Sequence, residues 1–380
     1  MVAPDSISSG CMREALRLAR RGFGHTSPNP MVGAVLVKGG QIIGRGWHRR
    51  AGGPHAEIEA LHDAQRNGHS AHGATLYVTL EPCCTHGRTP PCTEAIIAAG
   101  IRRVVIGAID PNPDHAGRAF KLLRREKIEV TMSDAGDECA QLNETFNHWI
   151  VHRTPFVTIK AAMTLDGEIA TAAGESKWIT GDKARAVGMR LRRGSDAVLV
   201  GVNTVLADDP SLTIRRRTAD GRWTTVKPIR RIILDSRART PLSAKVVSDG
   251  HAALTTIVVS NRAPANRAKA LAKQVNVLLS PVKQGVIDLG WLLKKLGSED
   301  ATSLLVEGGG EVNASVLLGG FAQRVAFFYA PKILGDRDAR KAVAGDGVGR
   351  LADVIQLSEL EWRKLGDDLM LSARVGAIAR

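Results

Sequence analysis

Residues 75–100 read "TLYVTLEPCCTHGRTPPCTEAIIAAG". The apolar, β-branched start predicts a buried strand. A proline-rich turn follows. "PPCTEAIIAAG" then predicts a helix, with proline at its start and Gly100 just past its end. Cys83, Cys84 and Cys92 all lie on this strand–turn–helix, out of five cysteines in the chain. An odd, clustered set is a poor disulfide framework and a reasonable metal site.

Working outward, the same alternation continues. "CMREALRLARRG" (11–22) has helical spacing, and "MVGAVLVKGGQIIGRGWH" (31–48) reads as two strands joined by a Gly-Gly turn. "HAEIEALHDAQRNG" (55–68) predicts a helix stopped by Gly68. "RRVVIGAID", "GRAFKLLRREK" and "IEVTMS" predict strand, helix and strand. These segments predict an α/β sandwich over residues 1–153. "VHRTP" (151–155) is the linker candidate, and 154–380 is read as a second α/β domain. Its strand runs are "FVTIKAAMTLDGEIA", "DAVLVG", "IRRIILDS", "TTIVVS", "VNVLLS" and "TSLLVEGGG", with helical stretches such as "KARAVGMRLRRGS" between them. A length of 380 residues suits two such domains.

Composition narrows the function classes. No run of 18 apolar residues marks a membrane span. The start "MVAPDSISSG" lacks the basic and apolar regions of a secretion signal, so a cytoplasmic location is expected. Net charge is +14. Residues 1–153 hold 18 Lys and Arg against 15 Asp and Glu, whereas the remainder holds 34 against 23. The basic excess therefore belongs to the second half, where a solvated surface, phosphorylated ligands and nucleic acid are competing explanations. All five cysteines and ten of eleven histidines precede residue 153, so the two halves carry different chemistry.

"PHAEIEA" puts His55 and Glu57 two residues apart at a helix start. With Cys83 and Cys92 this offers one nitrogen and two sulfurs. Zinc takes four ligands, and three protein donors leave one position for water, whose pKa the metal lowers. Glu57, beside a ligand but offset from it, is then the proton carrier. Nucleobase deaminases combine H-x-E with P-C-x-x-C in this way. Here the second cysteine follows nine residues on, with "CTHGRTPP" inserted, which brings His86 and Arg88 toward the site. The alternatives are a structural zinc with Cys84 or His86 as fourth ligand, or Cys84 in place of Cys83. Cys11 and Cys139 read as plain buried thiols.

"PNPMVGAVLV", "PHAEIEAL", "YVTLEPCCTHGRTPPCTEAIIAAGI" and "DPNPDHAGR" together resemble the deaminase half of the bifunctional riboflavin-biosynthesis deaminase/reductase family. The resemblance implies a cytidine-deaminase-like α/β/α sandwich. It also implies loss of the 2-amino group from 2,5-diamino-6-(5-phosphoribosylamino)pyrimidin-4-one. By resemblance Asn29 and His48 contact that substrate and Arg88 meets its phosphate.

"KAAMTLDGEIATAAGESKWITG", "VGVNTVLADDPSLTIR", "IRRIILDSR", "VEGGGEVNASVL" and "YAPKILGD" resemble the reductase half. They imply a dihydrofolate-reductase-like α/β domain that uses NADPH to convert ribosyl to ribityl. The cofactor contacts carried over are Ala162, Trp178, Thr204, Asp208, Ser236 and the run Gly309, Gly310, Glu311, Val312, Asn313, Ala314, Ser315. Substrate contacts are Ser176, Arg192, Leu212, Arg215 and Glu307. Lys160 and Asp208 are the two candidates for the proton donor. Read singly, Trp178 suits a core, Arg192 a solvated helix end, and Asp208 a turn cap.

Two other classes compete. One is a zinc deaminase acting on nucleic-acid bases with a basic accessory domain. The first half lacks a basic stripe interleaved with aromatics, which argues against it. The other is a zinc module without catalysis, which would leave Glu57 without a task. The expected partners are a phosphorylated pyrimidine and a second copy of the chain, with neither nucleic acid nor membrane.

Overall fold

The computed structural model describes residues 4–85, 90–113, 115–218 and 223–376. Two compact units form, Met1–Arg153 and Thr154–Arg380.

In the first unit, β1 (Gly33–Lys38) and β2 (Gln41–Trp47) make the hairpin, with Gly39 and Gly40 at φ 56° and 76°. Only glycine takes two such residues in succession without strain. β3 (Thr75–Leu80), β4 (Arg103–Ala108) and β5 (Glu129–Met132) complete a sheet of order β2-β1-β3-β4-β5. β1 runs antiparallel to both neighbours, and β3, β4 and β5 are parallel.

Side chains alternate between two cores. Ala34, Leu36, Leu76, Val78, Val104 and Ile106 face α2 (Ala56–Arg66), α3 (Cys92–Ala98) and α4 (Arg118–Arg125). Val35, Val37, Tyr77 and Val105 face the other way, toward Met12, Ala15 and Leu16 of α1 (Pro4–Ala19) and Cys139. Both faces are covered, as the near-continuous apolar strands require. Cys11 and Cys139 are buried thiols in this second core.

Gly46 sets where α2 begins. A Cβ there would lie 2.1 Å from the Ala56 carbonyl oxygen. The strand and the first turn of α2 therefore touch backbone to backbone, which places His55 and Glu57.

The expected linker 151–155 is shorter in the structure. A helix, Glu144–His152, runs through Val151 and His152. It ends at Arg153, which adopts a left-handed φ of 55° with its guanidinium 5.0 Å from the Trp149 ring.

The second unit holds a nine-stranded sheet. In spatial order its strands are Asn276–Leu279, Thr255–Val259, Arg230–Leu234, Ala197–Gly201, Ser303–Val306, Phe156–Thr164, Arg324–Ala330, Asp368–Val375 and Leu357–Leu365. The first seven are parallel, and the last two join antiparallel. Leu199, Ile232 and Val258 enter one core while Val198, Ile233 and Ile257 enter the other. The C-terminal segment, the least informative stretch of the sequence, supplies the closing hairpin Leu357–Leu365 and Asp368–Val375. No helix among the described residues is long and apolar enough to cross a membrane.

Candidate active sites

In the first unit the ligand atoms of His55, Cys83 and Cys92 lie within 4.8 Å of one another. His55 Nδ1 is 3.2 Å from Cys92 Sγ and 3.5 Å from Cys83 Sγ. Ligand atoms on tetrahedral zinc stand roughly 3.5 Å apart, so the triplet fits that ion and leaves one coordination position open. His55 caps α2, Cys92 opens α3, and Cys83 sits on the turn after β3. Three short-range signals thus converge from separate elements.

The turn is held from behind. Glu81 is buried and accepts hydrogen bonds from the backbone N–H groups of Asp110, Gly117 and Ala119 at 3.2, 2.9 and 3.1 Å. The Cys83 carbonyl accepts from Thr93 N and Thr93 Oγ1. A helix-start amide favours a negative sulfur, and the sulfur it reaches here is not that of its own residue. The Cys92 N–H points at Cys83 Sγ, 3.3 Å away. Hydrogen bonding from the Cys92 thiol and from His55 pulls the Cys83 thiol down to about 4, against its burial. The pKa of the Cys92 thiol, hydrogen-bonded to Cys83 and buried, is raised.

Glu57 is 3 % exposed in the first turn of α2, against Cys92. Burial pushes its carboxyl up to about 7 against the pull of His55. A carboxyl poised near neutrality can both accept and return a proton.

His48 and Asn29 come together beside this group. The His48 ring is buried, 5.4 Å from that of His55 and nearly perpendicular to it. Burial lowers its pKa, so the ring is neutral. Its Nδ1 lies 2.9 Å from the Pro54 carbonyl, which only accepts, so Nδ1 carries the proton. Nε2 then accepts from Asn29 Nδ2 at 3.2 Å.

Cys84 does not join the ligand triplet. Its Sγ lies 3.6 Å from His115 Nδ1, and Thr85 Oγ1 is 3.5 Å from the other ring nitrogen. Arg88 and His86 lie outside the described residues.

In the second unit a cavity of about 1340 Å³ opens over the carboxyl ends of the parallel strands. This is where open parallel sheets bind ligands. Ala162, Ser176, Trp178, Arg192, Thr204, Asp208, Arg215, Ser236 and Glu307 all line it. So do Gly309, Gly310, Glu311, Val312 and Ser315. Asn313 and Ala314 do not: both are buried, and Asn313 donates to the Ala342 carbonyl at 2.8 Å. They occupy the inner face of the helix Gly310–Leu318, whose outer face carries Glu311, Val312 and Ser315. Leu212 also departs from its expected place. Its side chain is 3 % exposed in the core with Val198 and Ile233, at a left-handed φ of 51°.

Several of these residues hold one another. Ser176 Oγ donates to Asp208 Oδ1 at 2.8 Å, and Lys177 Nζ is 3.4 Å from the same oxygen. The peptide bond between Lys177 and Trp178 is cis, and Trp178 is exposed under the Arg185 guanidinium, 4.6 Å from it. Lys160 also lines the cavity, and burial lowers its ammonium pKa. Arg185 and Arg239, both in the lining, carried no local sequence signal, since arginines are common in this basic half.

Comparison with known proteins agrees with both halves. Residues 6–108 match the model "Cytidine and deoxycytidylate deaminase zinc-binding region", and residues 155–371 match the "RibD C-terminal domain". The riboflavin biosynthesis protein RibD of Aquifex aeolicus is 44% identical over 365 residues, 96% of this chain and 98% of that protein. A solved structure of RibD from Acinetobacter baumannii has 35% identity and a TM-score of 0.84, covering 98% of this chain and 99% of its own. Another comes from Thermotoga maritima, described as a diaminohydroxyphosphoribosylaminopyrimidine deaminase/5-amino-6-(5-phosphoribosylamino)uracil reductase. It has 35% identity and a TM-score of 0.81, covering 98% of this chain and all of its own. The fold is thus a cytidine-deaminase-like sandwich followed by a dihydrofolate-reductase-like domain, with zinc and NADPH as cofactors. The chain belongs to the bifunctional deaminase/reductase family of riboflavin biosynthesis.

Proposed function

We propose that residues 1–153 hydrolyse the 2-amino group of 2,5-diamino-6-(5-phosphoribosylamino)pyrimidin-4-one, and that residues 154–380 reduce the ribosyl group of the product. The observation that carries the first half is a buried carboxyl, Glu57, beside a nitrogen–sulfur–sulfur triplet of zinc-site dimensions.

His55, Cys83 and Cys92 hold the metal. When bound, zinc supplies a water of near-neutral pKa. Glu57 would pass on both protons of the attacking water in turn, one to the ring nitrogen and one to the departing amine. One C–O bond forms at C2, one C–N bond breaks, and ammonia leaves. Neutral His48 and the Asn29 amide line the approach and orient the pyrimidine. Arg88 is assigned to the substrate phosphate, because a guanidinium forks onto that group.

In the second unit NADPH, when bound, would supply the hydride for C1′ of the opened sugar, and a protein group must supply the one proton that completes the ribityl chain. Between Lys160 and Asp208, the lowered pKa of Lys160 favours it as the proton source, since Asp208 is engaged by Ser176 and Lys177. Gly309 and Gly310 let backbone N–H groups approach the diphosphate. Arg192, Arg215 and Glu307 form the substrate side, where Leu212 can contribute only through its backbone.

A cytoplasmic location is supported by five cysteines that are all free. Assembly with a second copy is supported by the exposed edge strand Leu357–Leu365, where Leu360 and Trp362 are each 56% exposed.

The purified chain, mixed with the diaminopyrimidine ribosylamine phosphate and NADPH, should oxidise NADPH steadily. Chelating zinc should stop oxidation, and already deaminated substrate should restore it. Oxidation that persists without zinc would overturn the deaminase assignment. Failure on the deaminated substrate would overturn the reductase assignment.

A further inference from the structure

We propose that Arg239, on the turn after the strand Arg230–Leu234, reads the 2′-phosphate of NADPH and so sets the preference for NADPH over NADH. The inference rests on the cavity of the second unit being the NADPH site.

The strand order gives the cavity a direction. From the strand Phe156–Thr164 the sheet steps to Ser303–Val306, then Ala197–Gly201, then Arg230–Leu234. The first contributes Lys160 and Ala162 to the cavity, the second Glu307 and the glycine run, the third Thr204, and the fourth Ser236 and Arg239. Three steps at about 4.8 Å each span about 14 Å. The reacting end lies over the first strand and the diphosphate cradle over the second. The adenosine end of the cofactor therefore falls toward the fourth.

Where a nucleotide fold prefers NADH, an acid at the end of such a strand accepts from the ribose 2′-hydroxyl, whereas an arginine accommodates a 2′-phosphate. Here the acid is present but turned inward. Asp235 is fully buried, and its Oδ2 accepts from Thr240 N and Thr240 Oγ1, both at 2.7 Å. What the turn presents to the cavity is Ser236 and Arg239.

The turn is built to hold that presentation. The Ser236 carbonyl accepts from Ser260 Oγ at 2.8 Å, and the Ala238 carbonyl accepts from Arg267 Nε at 2.7 Å. Ala238 itself is buried at a left-handed φ of 53°. The Arg239 guanidinium donates to Asn203 Oδ1 at 2.8 Å, a neutral partner on the next element of the cavity wall. It is thus oriented without its charge being cancelled. The four carboxylates of the cavity lining are Asp182, Asp208, Glu307 and Glu311, and none of them belongs to this turn.

The test is isothermal titration of the full chain with NADP+ and with NAD+, comparing wild type, Arg239→Gln and Arg237→Gln. The Arg239 side chain is exposed and bonds one neighbour, so its replacement removes no core contact. Loss of a charge-assisted contact should weaken NADP+ about 10- to 100-fold and leave NAD+ within about twofold. Arg237→Gln should keep the wild-type ratio, because Arg237 is exposed outside the cavity. The KM values for NADPH and NADH should move in parallel with the two affinities. An unchanged NADP+ to NAD+ ratio in Arg239→Gln overturns the proposal, and so does an equal loss for both nucleotides. A wild-type chain that binds neither nucleotide overturns the reading of the cavity itself.

Discussion

Arg192 and Glu307 meet as a two-bond fork, Nε to Oε1 at 2.7 Å and Nη2 to Oε2 at 2.8 Å, with both side chains almost fully buried. Arg192 also donates to the Thr213 carbonyl at 3.0 Å. The pair ties the helix Asp182–Arg193 to the strand end that leads into the glycine run, and fixes the backbone beside Leu212. Two residues assigned separately to substrate thus form one unit, whose charge is balanced before any ligand arrives.

Removing one partner should therefore cost more than removing both. Glu307→Gln leaves a buried guanidinium without its counter-charge, and a loss of about 3 kcal/mol is expected. Arg192→Met with Glu307→Gln should recover part of it. Thermal unfolding of the four proteins of this cycle checks the coupling.

The same pair gives a pH dependence. Burial raises the Glu307 carboxyl, but the charge and hydrogen bonds of Arg192 outweigh this and hold it at about 2. Its unfolded value is about 4.3. A depressed folded pKa contributes stability fully above the unfolded value, and loses it as pH falls toward the folded one. The stability gap between wild type and Glu307→Gln should therefore narrow from about pH 4 down to about pH 2. Urea unfolding across that range measures it. A gap that stays constant would mean the pair is not ionised as described.

Glu57→Gln keeps the shape of the site but cannot carry a proton. Ammonia release should fall by about 100-fold or more. Metal analysis should still find zinc, since the three ligands are untouched. Loss of zinc together with activity would place Glu57 among the ligands instead.

The two adjacent cysteines should separate cleanly. Cys83→Ser should lose both zinc and ammonia release, because that sulfur lies 3.5 Å from His55 Nδ1. Cys84→Ser should keep both, because its sulfur faces His115. Zinc content per chain decides between them, and equal losses would mean that Cys84 supports the site.

Gly46→Ala probes the seat of α2. The added Cβ would sit 2.1 Å from the Ala56 carbonyl oxygen, which must move, and overpacking of this kind costs about 1–3 kcal/mol. Ammonia release should drop sharply, since His55 and Glu57 ride on that turn. NADPH oxidation with deaminated substrate should persist.

Much of this protein was determined by local chemistry alone. Glycine pairs and glycine stops marked the hairpin and helix ends, because few other residues accept a positive φ there. The spacing of His55, Cys83 and Cys92 announced the metal chemistry, since zinc needs those atoms whatever surrounds them, and Glu57 beside a ligand announced the proton carrier. Both domains followed from the order of apolar runs, because a covered parallel sheet demands such strands.

Tertiary structure decided what depends on long-range pairing. Which cysteine receives the helix-start amide depended on the turn that brings Cys83 to Cys92 N, nine residues away. The Arg192–Glu307 fork joins residues 115 apart, beyond any local pattern. That Asn313, Ala314 and Leu212 turn into the fold was set by which face of an element meets a core. The inward Asp235 and outward Arg239 share one short turn, and only packing around that turn determines which of them a ligand can meet.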